Sequence, residues 1–207
     1  MSTVALDSHD TQHHGAPPAT CKFGMIIFLI SEAMLFAGLI AGYIVLRGAH
    51  PGDWPPAGYP DIQVQWPLTT MNIVMIVNSI ILIGSSFTYH FAEAAVSKGK
   101  SGILWLIATL ILGSIFLSVQ GWEWVHLKHE GLWWDQGLIY GSCFFAITGF
   151  HGMHVFVGLL LILWILLKQT FTGCFTPQRH AAMANVGLYW HFVDAVWIVV
   201  YTSLYVI

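Results

Sequence analysis

Apolar residues run in long unbroken blocks along this chain, and polar residues gather in the short stretches between them. Spanning a bilayer takes roughly 20 apolar residues in a helix. Five blocks reach that length: Phe23–Leu46, Leu68–Ala92, Gly102–Trp124, Leu138–Leu167 and Ala184–Val206. Between them lie Arg47–Pro67, rich in Pro and Gly, and the shorter Glu93–Ser101, Val125–Gly137 and Lys168–Met183. These connections are too short to fold as separate domains. The pattern therefore predicts an all-α integral membrane bundle of five transmembrane helices over 23–207, with helices at about 23–46, 68–92, 102–124, 138–167 and 184–206. Residues 1–22 are polar and lack the basic start and apolar centre of a signal peptide, so they read as a disordered tail. His13 and His14 in that tail do not complete a metal site.

Composition agrees. Of 207 residues only 8% are charged, where a soluble domain carries about 25%. The net charge of −3 leaves no basic footprint for nucleic acid. Cys21, Cys143 and Cys174 lie far apart without a CxxC pair, so neither a disulfide framework nor a zinc knuckle is expected. The seven basic residues set the orientation. Lys22, Lys98, Lys100, Lys168 and Arg179 fall on the amino-terminal side, and Arg47 and Lys128 on the other. Under the positive-inside rule this places the amino terminus in the cytoplasm and, with an odd number of spans, the carboxy terminus in the periplasm. Trp54, Trp66, Trp122, Trp124, Trp133 and Trp134 gather near the outer face, as an interfacial belt would.

Small residues spaced four apart allow helices to approach closely in lipid. Gly38–Gly42 and Gly137–Gly141 have that spacing, either as real contacts or by composition alone.

The candidate functional residues are ionisable groups inside apolar helices, because each costs about 2.5–3.5 kcal/mol at the bilayer centre. They are Glu32, Glu123, His151, His154, His191 and Asp194. At 1.5 Å per residue, Glu32 sits about 13 Å, Asp194 about 15 Å and His154 about 20 Å from the inner end, a similar level. His151 with His154, and His191 with Asp194, are spaced i,i+3 and share helix faces. Such residues serve as polar ties between helices or as proton-handling groups; Glu123, near a helix end, reads as an interfacial acid that stays wet. A cytochrome b would need facing axial histidines with room for a porphyrin. His154 and His191 are the candidates, but bulky Phe192 and Asp194 crowd the second. No HExxH motif is present, and Gly141-Ser142-Cys143 is a weak imitation of a protease nucleophile.

Longer motifs carry a resemblance. Tyr140–Gly158 (YGSCFFAITGFHGMHVFVG) and Tyr189–Tyr205 (YWHFVDAVWIVVYTSLY) resemble the signature and last helices of haem–copper oxidase subunit III. Ser31–Phe36 (SEAMLF), Asn78–Ser86 (NSIILIGSS) and Gln120–Trp124 (QGWEW) resemble its acidic helix, the next one, and the approach to its outer loop. The resemblance implies a short five-helix bacterial form in the inner membrane that binds no haem or copper itself. It would pack beside catalytic subunit I, which reduces oxygen and pumps protons, together with subunit II and a small subunit IV. It would support proton uptake and hold phospholipid, with Glu32 at the family's buried acid, His151, His154, His191 and Asp194 at its polar positions, and Arg179 and His180 near lipid head groups. The electron donor is cytochrome c or quinol. Two helices of the seven-helix form are absent, which removes one wall of the lipid cleft, and Ala184 stands where the family often has Glu. An accessory protein of nitric oxide reduction shares these motifs and is the nearest alternative.

Overall fold

A computed structural model of the chain describes residues 18–50, 54, 70–134, 139–173, 175 and 180–206. The polar tail through residue 17, Trp66, Gly137, Cys174 and Arg179 lie outside them. The described residues form five helices: α1 (Pro18–Ala49), α2 (Thr70–Ser97), α3 (Ile103–His129), α4 (Ile139–Thr172) and α5 (Ala181–Tyr201). All five are long and apolar enough to cross a membrane. Helix α1 starts at Pro18, ahead of the apolar run at Phe23; proline suits a first turn because its missing N–H would have no intrahelical partner there. Below, the near end of the bundle is the one holding Pro18, and the far end the one holding Ala49.

Two tight helix ends set the connections. Past α2, Gly99 adopts φ 71°; past α3, Gly131 adopts φ 90°. In each case the next N–H reaches back into the last turn, Lys100 to Ala95 O and Leu132 to Leu127 O, both at 2.9 Å. That closure requires a left-handed residue, which glycine adopts without steric cost.

Helix α5 is central, packing against α1, α2 and α4, while α3 joins α2 to α4. Lipid tails already satisfy apolar surfaces, so packing fit and interhelical hydrogen bonds must hold the helices together. Trp190 and Trp197 of α5, fully buried, donate their indole N–H groups to Ser85 and Ser79 of α2 at 3.1 and 3.0 Å. Asn78 donates to Phe116 O on α3 at 3.2 Å, and Thr88 meets Thr109 at 2.8 Å. Tyr189 donates to His154 O on α4 at 2.9 Å.

The close approaches between helices fall on glycines outside the expected motifs; Gly141, in one of those motifs, packs instead against the segment before α4, where a Cβ would lie 3.2 Å from Trp133 O. A Cβ on Gly158 would come within 2.7 Å of the Trp190 ring, one on Gly113 within 3.0 Å of the same ring, and one on Gly187 within 2.7 Å of Tyr89. Gly38 and Gly42 meet nothing within 4 Å. Trp54, read as part of the interfacial belt, turns inward instead and packs edge-on against Tyr43 and Tyr140. Trp122 and Trp134 are exposed.

Candidate functional site

The polar residues singled out above resolve into separate clusters. In the first, Glu32 of α1 meets His154 of α4, Oε2 to Nε2 at 3.0 Å, with side chains 18% and 9% exposed. The other ring nitrogen, Nδ1, lies 2.6 Å from the carbonyl of Phe150. A carbonyl only accepts, so Nδ1 carries a proton. The Nε2–Oε2 contact then holds one further proton, on the carboxyl or on the imidazole. Phe36 covers the ring edge-on at 5.3 Å. The pair is thus a one-proton unit with Phe36 packed against its imidazole.

The second cluster joins α2 and α5. Ser86 donates its hydroxyl proton to Asp194 Oδ2. Its oxygen is then free to accept from His191 Nδ1, 2.9 Å away. Serine, histidine and aspartate meet here with the wrong polarity for nucleophilic catalysis, which needs the histidine to take the serine proton. In this cluster the serine proton points at the aspartate.

His151 shares a helix with His154 but faces elsewhere. It is fully buried, with its ring 4.7 Å from that of Trp197 and edge-on to Phe116 at 5.9 Å, and neither nitrogen has a partner among the described residues. The i,i+3 spacing therefore does not bring the two histidines to one site: each turns into a different helix contact. His154 and His191 do not face each other across a porphyrin-sized gap either. Each is engaged with a different neighbour, Glu32 on α1 and Ser86 on α2.

Glu123 corrects the sequence reading of a wet interfacial acid. It is 1% exposed. Tyr205 donates to it, its hydroxyl 3.0 Å from both oxygens, and Gln120 donates to Oε2. The cause lies at the end of α5, where a π-helical turn, Thr202–Val206, carries Leu204 and Tyr205 inward together and caps the carboxyl. His180 stands at the N-cap of α5, half-buried; Arg179 lies outside the described residues. Sequence reasoning missed Ser86, Gln120 and Tyr205. The signal was there in principle, since a buried acid needs donors and all three lie on apolar helices.

The whole defines a multi-pass membrane protein in which Glu32, Glu123 and Asp194 each bond a side chain of another element. Among the described residues no group of three or more His, Cys, Asp or Glu side chains is placed to hold a metal ion. The family model for cytochrome c oxidase subunit III matches residues 3–207. A cytochrome c oxidase subunit 3 of Thermostichus vulcanus is 38% identical over 208 residues, covering 100% of this chain and 94% of the relative. One of Synechocystis is 40% identical over 197 residues, covering 94% and 78%. A cytochrome bo(3) ubiquinol oxidase subunit 3 of Pseudomonas aeruginosa is 34% identical over 216 residues, covering 99% and 98%. The chain belongs to the cytochrome c oxidase subunit III family and is a subunit III of a terminal oxidase, part of a multi-subunit complex with a catalytic subunit.

Proposed function

We propose that this chain is the non-redox subunit III of a proton-pumping haem–copper oxidase in a bacterial inner membrane. It braces the catalytic subunit, which reduces oxygen to water, and supports proton uptake beside it. Haem and copper reside in partner subunits, among them subunits I and II with a small subunit IV, and phospholipid binds at the protein surface. The amino terminus lies in the cytoplasm, as the four described lysines of the near end argue.

The observation that carries the protonic part is the Glu32–His154 pair. A carboxyl in an apolar helix, bonded to a ring that shares its proton, can take up and release a proton without moving a net charge far through lipid. A pure tie between helices would not need an ionisable partner at all, since Trp–Ser and Thr–Thr bonds serve elsewhere in this bundle.

The test is purification through a tag on this chain in mild detergent. Haem-bearing catalytic subunit should co-purify, and its absence would sink the reading. In the intact complex, Glu32→Gln keeps a hydrogen bond to His154 but removes the carboxyl. Assembly should stay near normal, while proton uptake slows and the enzyme's lifetime in turnover shortens. Unchanged pH dependence and lifetime would remove the protonic role.

A further inference from the structure

Between α2 and α5 a groove of about 370 Å³ opens on the outer surface of the bundle, lined by Ser86, Phe87, His90, His191, Asp194 and Ile198 among others. Four of these are polar; His90 is exposed about 10 Å along α2 from Ser97, while Asp194 lies deeper. Asp194 is about 20 Å along α5 from Ala181, beyond the reach of a head group and level with acyl chains. Its Oδ2 takes the Ser86 proton, but Oδ1 is buried and has no partner among the described residues. Asp194 is 5% exposed, while Phe87 and Ile198 beside it are 62% and 51% exposed. Ionisable groups at this depth face a protein interior or water, because hydrocarbon offers them nothing. A lipid tail carries no donor for Oδ1.

We propose that this groove receives a transmembrane helix of the oxidase's catalytic subunit, which presents a hydrogen-bond donor to Asp194 Oδ1 and lays apolar side chains over Phe87 and Ile198. The inference rests on the chain being subunit III of such a complex, and adds which face does the docking. The Ser86–His191–Asp194 bonds hold the carboxylate in place before the partner arrives, which lowers the cost of ordering it on binding.

The test leaves the groove's polar residues intact. A benzoylphenylalanine replaces Phe87 in the tagged chain, with Leu104 on α3, 81% exposed, as the control position. The assembled complex is irradiated in native membranes and the adducts are identified by mass spectrometry. An adduct from position 87 to a transmembrane helix of the catalytic subunit, absent from position 104, is the expected result. Phospholipid adducts alone, adducts to a second copy of this chain, or no protein adduct in a complex that still co-purifies would each overturn the inference. Failure of the catalytic subunit to co-purify at all would instead sink the functional reading on which it rests. As a second measure, Asp194→Ala, which removes the Oδ1 acceptor, should reduce the fraction of chain retaining the catalytic subunit in mild detergent by roughly threefold or more, the scale of one interhelical hydrogen bond. Full retention by a folded Asp194→Ala chain would also count against it.

Discussion

At the scale of single residues, what matters is whether each buried polar atom has a partner. His154→Leu strips Glu32 of its hydrogen bond and leaves a carboxyl facing apolar walls. The expected cost is about 1–3 kcal/mol, the penalty of an unsatisfied buried group. It should appear as a lower thermal midpoint of the purified complex. Adding Glu32→Leu removes the stranded carboxyl, so the double variant should be more stable than His154→Leu alone; a double variant that is worse would show that the two groups do not act as a pair. Tyr205→Phe is the matching test at the far end. It deletes the hydroxyl that lies 3.0 Å from both oxygens of Glu123, leaving Gln120 as its remaining bonded neighbour, and should also cost about 1–3 kcal/mol. A neutral result would mean that Glu123 is hydrated after all. The positions of these residues were legible from hydropathy, because an acid or histidine in an apolar run stands out. Their partners were not. Helical spacing places His151 and His154 on one face, but a face is wide enough for one ring to turn to α1 and the other to α3 and α5.

At the scale of helices, the number of spans followed directly from the lengths of the apolar blocks, while the contacts between them did not. A Gly-x-x-x-Gly pattern on α1 pointed to a close approach, yet Gly38 and Gly42 face open space. The approach falls on Gly158 and Gly113, whose spacing marks nothing, because what they admit is one large ring, Trp190, pinned to Ser85. Only the tertiary arrangement shows where a tryptophan from α5 enters. Gly158→Ala should therefore force α4 and α5 apart. The Trp190 ring is fully buried and hydrogen-bonded, so it is not a flexible end that can swing aside. Overpacking of this kind costs about 1–3 kcal/mol. Gly38→Ala should leave the stability of the chain unchanged within error, measured by the same thermal scan. If Gly158→Ala proves silent, the α4–α5 seam is looser than the 2.7 Å approach implies.

At the scale of the whole molecule, the proton-uptake proposal depends on which end of the bundle faces the cytoplasm. Glu32 lies about 21 Å along α1 from Pro18 and about 26 Å from Ala49, and His154 about 27 Å along α4 from Thr172 and about 23 Å from Ile139, so the pair sits near mid-depth. Of the described basic residues, Lys22, Lys98, Lys100 and Lys168 belong to that end, and Arg47 and Lys128 to the other. Translocation of lysine-rich loops is disfavoured, so the near end should stay inside. Two exposed positions read this out: Ser101 in the α2–α3 turn at the near end, and His129 at the far end of α3. With Cys21, Cys143 and Cys174 first replaced, Ser101→Cys should react with a membrane-impermeant maleimide only in inside-out vesicles, and His129→Cys only in intact spheroplasts. The reversed pattern would turn the lysine-bearing end to the periplasm, with Glu32 on the half of α1 that begins there. Protons reaching Glu32 along that half of α1 would then come from outside, so the brace would survive as a role for this subunit while proton uptake from the cytoplasm would have to be assigned to another chain.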